Sequence, residues 1–113
     1  MTLAEYEKMT DRELDAQVAE KVMGWEPYEG QERTWALPGG EVLGLWIPSI
    51  DIADAFEVVE KMRGKSLNLF TLAACMGSQQ WSAYVHGGDG WIQANTAPRA
   101  ICIAALAAVE AAS

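Results

Sequence analysis

Apolar residues at helical spacing mark the first structured segment of the chain. Leu14, Val18 and Val22 recur at intervals of four, which places them on one face of a helix. Thr10 stands three residues before a glutamate, the spacing of a capping box, so the helix is predicted to begin there. Gly24 is suited to end it, because glycine readily takes the left-handed conformation that closes many helices.

The same period predicts two more helices. Over 51–64 one face is apolar, and Asp51 or Ser49 is placed to cap the first turn. The stripe expected to face the core consists of Ile52, Ala55, Phe56, Val59 and Met62. The third helix is predicted over 97–112, with Pro98 in its first turn, where the missing N–H costs nothing.

The segments between the helices alternate in the two-residue period of strands. "RTWAL" and "EVLGLW" flank "PGG" at 38–40, which predicts a hairpin. After the second helix, "SLNLFTLAACM", "QWSAYVH" and "WIQAN" predict three antiparallel strands. The order α-β-β-α-β-β-β-α predicts an α+β fold, an α/β/α sandwich in which helices cover an antiparallel sheet. Residues 10–113 form this single domain, and residues 1–9 lead into it.

The last helix carries no charged residue from Ala100 to Val109. A helix that is apolar all round must be buried all round, and a single sheet covers only one of its faces. The favoured interpretation is that the other face of 97–112 meets a second copy of the chain, which predicts a homo-oligomer. The alternative is that the helix lies between the sheet and the other helices of its own chain.

Composition argues against several classes of function. The chain has 113 residues and a net charge of −8, whereas binding along DNA or RNA needs a basic stripe. Two cysteines without metal-ligand spacing and one histidine predict neither a metal site nor a cofactor. The polar, acidic N-terminus does not resemble a signal peptide, and the longest uncharged helical run, which lies in the last helix, is far short of a membrane span. A cytoplasmic protein with no membrane partner is therefore expected.

Arg99 is the main candidate for an anion site. It is the only Lys or Arg after Lys65, and it falls in the first turn of the last helix, where the helix dipole disfavours a cation. With Asn95 and Thr96 it gathers donors at a helix N-terminus, whose free N–H groups favour anions. A guanidinium grips phosphate through two hydrogen bonds, and carboxylates to pair with Arg99 are few in this part of the sequence. The alternative is a solvated arginine without a ligand.

Aromatic residues add candidate stacking surfaces. Five tryptophans are many for this length, although core packing accounts for at least two of them. Arg33 lies two residues before Trp35, so both face one side of a predicted strand. Trp81 and Tyr84 lie on opposite faces of a later strand. An aromatic ring beside an arginine suits a purine or a ribose phosphate, which needs a stacking surface and a positive charge.

Catalytic motifs are nearly absent from the sequence. His86 precedes "GGDG", but no G-x-S-x-G nucleophile turn and no phosphate-binding loop accompanies it. The chain is therefore expected not to be an enzyme. A nucleotide-cleaving activity with His86 as the base is the least favoured hypothesis.

Three segments resemble the phage ABA sandwich domain. They are "ELDAQVAEKVMGW" (13–25), "DIADAFEVVEKM" (51–62) and "ANTAPRAICIAALAA" (94–108), in that order and at similar spacing. The resemblance covers most of the chain from Thr10 onward. It implies a three-layer α/β/α arrangement, which agrees with the elements predicted above.

The sequence is also similar, less closely, to the Thoeris anti-defence sponge proteins of phages. These oligomers sequester cyclic ADP-ribose isomers made by TIR-domain immune enzymes without cleaving them, and some hold cyclic oligonucleotides at a second site. The resemblance implies that Arg99 and Asn95 contact phosphate or ribose, and that Trp81 or Tyr84 stacks on adenine. Arg33 is a further basic candidate, and the site of action is an infected bacterial host cell. Low basicity argues against the cyclic-oligonucleotide site. The alternative function is a small phage homo-oligomer that binds a protein and no small molecule.

Overall fold

The computed structural model of the chain describes residues 3–28, 34–37, 39–64, 70–74, 81–85 and 92–112. The helices in these ranges are α1 (Leu3–Lys8), α2 (Asp11–Gln17), a π-helical segment (Val18–Met23), α3 (Ile52–Gly64) and α4 (Ala97–Ala112). The strands are β1 (Glu26–Pro27), β2 (Trp35–Ala36), β3 (Val42–Leu43), β4 (Phe70–Ala74), β5 (Trp81–Val85) and β6 (Ile92–Ala94). The predicted α+β class is confirmed. In this part of the chain no helix is long and apolar enough to cross a membrane.

The first predicted helix begins and ends where expected but changes its hydrogen bonding midway. The Thr10 hydroxyl accepts a hydrogen bond from the backbone N–H of Glu13 at 3.2 Å. From Val18 to Met23 the helix widens into a π-helix, which no feature of the sequence indicated. Gly24 ends it with a φ of 77°, and its N–H bonds to the carbonyl of Ala19. The cap predictions at both ends are therefore confirmed.

The strands form two three-stranded antiparallel sheets where one sheet was expected. In the first sheet, built of two-residue strands, Trp35 lies opposite both Pro27 and Leu43. In the second, β5 is the central strand, and its Trp81 lies opposite both Ala74 and Ala94. The second sheet is the larger one, and it is the sheet that α4 covers.

The buried centre of the fold is α4. Every residue from Ala100 to Leu106 is buried within a single chain. The helix contacts β5 and β6, and it also contacts α3, α2 and the π-helical segment. The structure therefore shows the alternative in which this helix lies between a sheet and the helices of its own chain. A homo-oligomer formed through 97–112 stays a prediction. The apolar face of α4 that motivated it is covered by the sheet and helices of the same chain.

The predicted core stripe of α3 is partly wrong. Ala55, Val58 and Met62 are fully buried, but Ile52 and Phe56 are 43% and 52% exposed. The helix carries apolar residues on two neighbouring faces, and α4 covers the face centred on Val58. The exposed pair is left beside the N-terminus of α4, where it lines the groove described below.

Side-chain hydrogen bonds fix the turn between β3 and α3. Asp51 caps α3, as predicted, by accepting from the N–H of Ala53 at 2.8 Å. The buried Trp46 donates its indole N–H to Glu57 at 3.0 Å. The ring of Trp25 meets that of Trp46 edge-on, with centroids 4.7 Å apart. The turn is thereby held against α3, and it forms one wall of the site.

Candidate ligand-binding groove

A groove opens where the first turn of α3, the start of β5 and the first turn of α4 meet. Its volume is about 490 Å³, and it is lined by Ile52, Phe56, Trp81, Asn95, Thr96, Ala97 and Pro98. We call it the apolar groove, because only the asparagine and the threonine bring polar side chains. Trp81 is half-buried, so part of its indole remains available to a ligand.

A second cavity, the polar pocket, adjoins the apolar groove. Its volume is about 480 Å³, and it is lined by Asp11, Ser49, Ile50, Asn95, Thr96 and Arg99. Asn95 and Thr96 line both cavities, so the two lie on either side of the turn before α4. Each volume falls within the range of about 300–1,000 Å³ that is usual for small-molecule sites.

Arg99 is tied to the N-terminal part of the chain. Its Nη1 donates to Oδ1 of Asp11 at 2.8 Å, which forms an ion pair. Its Nη2 donates to the carbonyl oxygens of Glu7 at 3.2 Å and Met9 at 2.5 Å. The expectation that carboxylates are scarce around Arg99 is wrong, because Asp11 approaches it from a position 88 residues away in the sequence. The charge of Arg99 is therefore locally neutralised.

The N-terminus of α4 offers fewer donors than the sequence suggested. The N–H of Arg99 bonds to the Thr96 hydroxyl at 3.3 Å, and the N–H of Ala100 bonds to the Thr96 carbonyl at 3.1 Å. Pro98 has no N–H to offer. Among the first four residues of the helix, Ala97 is left with an amide that takes no partner in the described part of the chain. An anion at this terminus would meet one free backbone donor.

A buried aspartate underlies the polar pocket. Asp15 is 1% exposed and accepts the backbone N–H of Ser49 at 2.8 Å. The hydroxyl of Ser49 donates to the backbone carbonyl of Asp11 at 3.3 Å. Burial raises the pKa of the nearby Cys102 thiol well above its ordinary value, and the charge of Asp15 raises it further. The two hydrogen bonds of Ser49 join α2 to the turn before α3.

Comparison with known proteins places this fold in a family. The family model of the phage ABA sandwich domain matches residues 16–106. The chain belongs to the phage ABA sandwich family. A solved crystal structure of a phage protein from Bacillus cereus ATCC 14579 is similar to it, with a TM-score of 0.69 and 27% identity over 88% of this chain and 92% of that one. No curated protein matches the chain. The match and the solved relative together support a phage protein.

The structure brings several of the predicted site residues of this ABA sandwich domain together. Asn95, Thr96 and Trp81 line the apolar groove, and Arg99 lines the polar pocket beside them. Tyr84 lies in β5, paired with a residue of β4. Arg33 and His86 lie outside the described residues. The ligand-binding roles assigned to all of these residues stay predictions.

Several residues that line the two cavities were not predicted to belong to a site, among them Asp11, Ile52 and Phe56. Asp11 stands in the first turn of α2, where an acidic residue is favoured by the helix dipole whether or not it has any other role. Ile52 and Phe56 were assigned to the core because they fit its period. A signal was available in α3 itself, since its apolar residues cover more of the helix than one buried face needs.

Proposed function

We propose that this phage protein binds a small nucleotide-derived signal of the cyclic ADP-ribose type and holds it without cleaving it. The observation that carries the proposal is the position of Trp81. Its half-buried indole opens into the same groove as the exposed Phe56, beside the polar side chains of Asn95 and Thr96. Stacking of a base on an aromatic ring contributes about 1–3 kcal/mol, and it does not require a basic surface.

The proposal assigns the parts of the ligand to the two cavities. The adenine base stacks on Trp81 in the apolar groove, and the adjoining ribose reaches Asn95, Thr96 and the polar pocket. The phosphates point to solvent, because Asp11 already neutralises Arg99 and the whole chain carries a net charge of −8. A cyclic oligonucleotide, with its larger negative charge, fits this surface less well.

Tight sequestration sets a requirement on the number of contacts. Nanomolar binding corresponds to about 12 kcal/mol, several times what one stacked ring supplies. The proposal therefore includes a homo-oligomer in the infected bacterial cell, in which a second copy closes the open side of the groove. Binding without chemistry is also part of the proposal.

The test is depletion and recovery of the ligand. The purified protein is mixed with cyclic ADP-ribose isomers and filtered, and the retained protein is heated so that released molecules can be identified by mass spectrometry. The proposal predicts depletion followed by recovery of the intact ligand. Recovery of an altered product would mean catalysis, and absence of depletion would refute the proposal.

Two variants connect that result to the groove. Trp81→Ala is expected to weaken binding about tenfold or more, because it removes the stacking surface. Leu45→Ala is the matched control, since Leu45 is 66% exposed and does not line either cavity. Equal binding by both variants would place the ligand elsewhere.

A protein-binding function is the second candidate, and the exposed apolar side chains favour it. Val42, Leu45 and Ile50, in the segment that runs from β3 to α3, are 50%, 66% and 52% exposed. Scattered exposed apolar residues are common, but several on one segment are typical of a contact surface. Capture of one stoichiometric protein from infected cells by the wild type, and not by Leu45→Asp, would support this function if no nucleotide is retained.

A further inference from the structure

We propose that Asp11 recognises the hydroxyl pair of the ligand's ribose, and that Arg99 is a positioning residue for Asp11 rather than a phosphate clamp. The inference rests on the proposed function and names the part of the ligand that the polar pocket receives. It begins from the state of the Asp11 carboxylate. Oδ1 accepts from Arg99 at 2.8 Å, whereas Oδ2 takes no hydrogen bond within the described part of the chain.

The side chain of Asp11 is accessible to a ligand. It is 46% exposed, compared with 19% for the side chain of Arg99, and both line the polar pocket. Within this ion pair, the carboxylate of Asp11 is therefore more exposed to solvent than the guanidinium of Arg99. A ligand that enters from the groove meets an acceptor with one free oxygen.

The geometry of Arg99 disfavours a two-pronged grip on phosphate. A guanidinium has two forks of parallel N–H donors, and both of them include Nη2. In this structure Nη2 has two hydrogens and donates to two carbonyl oxygens, those of Glu7 and Met9. A phosphate would have to displace at least one of these carbonyls, and it would also lie beside the negative charge of Asp11.

Ribose hydroxyls can donate the hydrogen bonds that the free oxygen of Asp11 lacks. An ionised carboxylate only accepts hydrogen bonds, and the 2′ and 3′ hydroxyls of ribose both donate. Acidic side chains hold ribose in this way in dinucleotide-binding folds. Asn95, which lines both cavities, adds an amide on the side of the base. The base on Trp81 and the diol on Asp11 then lie on either side of one turn.

The experiment measures how strongly each variant discriminates between adenosine and 2′,3′-dideoxyadenosine, with ADP-ribose as the reference ligand. For the wild type, calorimetry or fluorescence titration is expected to show adenosine binding at least tenfold more tightly than the dideoxy compound. In Asp11→Asn, the affinity for adenosine should fall until the ratio of the two affinities is close to one. Arg99→Ala should lower the ratio as well, and Arg99→Lys should restore part of it.

The ratio separates recognition from damage to the fold, because a loosened pocket weakens both nucleosides together and leaves the ratio unchanged. Tighter binding of ADP-ribose by Asp11→Asn would overturn the inference, since it would mean that the freed arginine holds phosphate. Binding of ADP-ribose without measurable binding of adenosine would overturn it for the same reason. In both cases sequestration of the nucleotide signal survives as the proposed function, but the placement of its phosphates in solvent does not. Failure of the wild type to bind ADP-ribose and cyclic ADP-ribose isomers overturns the proposed function and the inference together.

Discussion

Replacement of Arg99 by alanine should destabilise the fold whether or not a ligand is present. The side chain joins the N-terminus of α4 to the carbonyl oxygens of Glu7 and Met9 and to the carboxylate of Asp11. These partners lie at the junction of α1 and α2, far away in sequence. An arginine kept only for a ligand would leave the stability of the free protein almost unchanged.

The magnitude follows from the surroundings of each contact. The bond to Met9 is partly buried and involves a charged donor, so it contributes about 1–1.5 kcal/mol, near the lower end for such bonds. The bond to Glu7 is exposed and adds about 0.5 kcal/mol. The ion pair with the half-exposed Asp11 adds about 0.5–1 kcal/mol. Together they predict a loss of about 2–3 kcal/mol.

Urea unfolding followed by circular dichroism measures this loss. Lys61→Ala is the matched control, because Lys61 is exposed in the last turns of α3, and its loss should stay within about 0.5 kcal/mol. Arg99→Lys should fall between the wild type and the alanine variant, since one ammonium cannot reach all three acceptors. A loss below about 0.5 kcal/mol for Arg99→Ala would refute the structural role of this side chain.

Three further predictions concern the core and its pH dependence. The nearby Tyr6 hydroxyl and the ion pair with Lys21 lower the pKa of Glu110 from 4.5 to about 2. Their stabilisation of the fold is therefore complete above pH 4.5 and is lost as the pH falls toward 2. Acid titration of wild type and Glu110→Gln should show stabilities that differ by about 1 kcal/mol or less at pH 6 and converge near pH 2. In a chain whose other cysteine is serine, Cys102 should react with Ellman's reagent only as fast as the protein opens, because burial keeps it protonated; rapid reaction in the native state would contradict its burial. Ala105→Leu should cost about 1–3 kcal/mol in thermal unfolding, because that position is fully buried and has no room for the larger side chain.

The features that could be predicted from the sequence are those that neighbouring residues decide. Thr10 and Asp51 cap their helices through contacts within three residues, and Gly24 ends its helix through its own φ. The apolar run of α4 predicted a helix buried on all sides, which the structure shows. Each of these follows from local backbone chemistry or from the periodicity of one helix.

The features that could not be predicted depend on which elements meet. In α3, the apolar residues 52 and 56 form one stripe and 55, 58 and 62 form another, roughly a quarter of a turn away. Periodicity shows both stripes, but only the position of α4 decides which of them is buried. The ion pair between Asp11 and Arg99 likewise joins two residues that no local rule connects.

These two long-range features together determine the chemistry of the site. Burial of the second stripe of α3 leaves Phe56 exposed, and this gives the groove its apolar wall opposite Asn95 and Thr96. The pairing of Arg99 with Asp11 removes a free positive charge from the adjoining pocket and presents a carboxylate there instead. Under the proposed function, a stacking surface together with a hydroxyl acceptor suits a nucleoside moiety better than bare phosphate. Loss of binding in an Arg99 variant would therefore not by itself demonstrate a phosphate contact, because the same side chain positions Asp11 and stabilises the fold. The selectivity between ribose and its deoxygenated form distinguishes these roles.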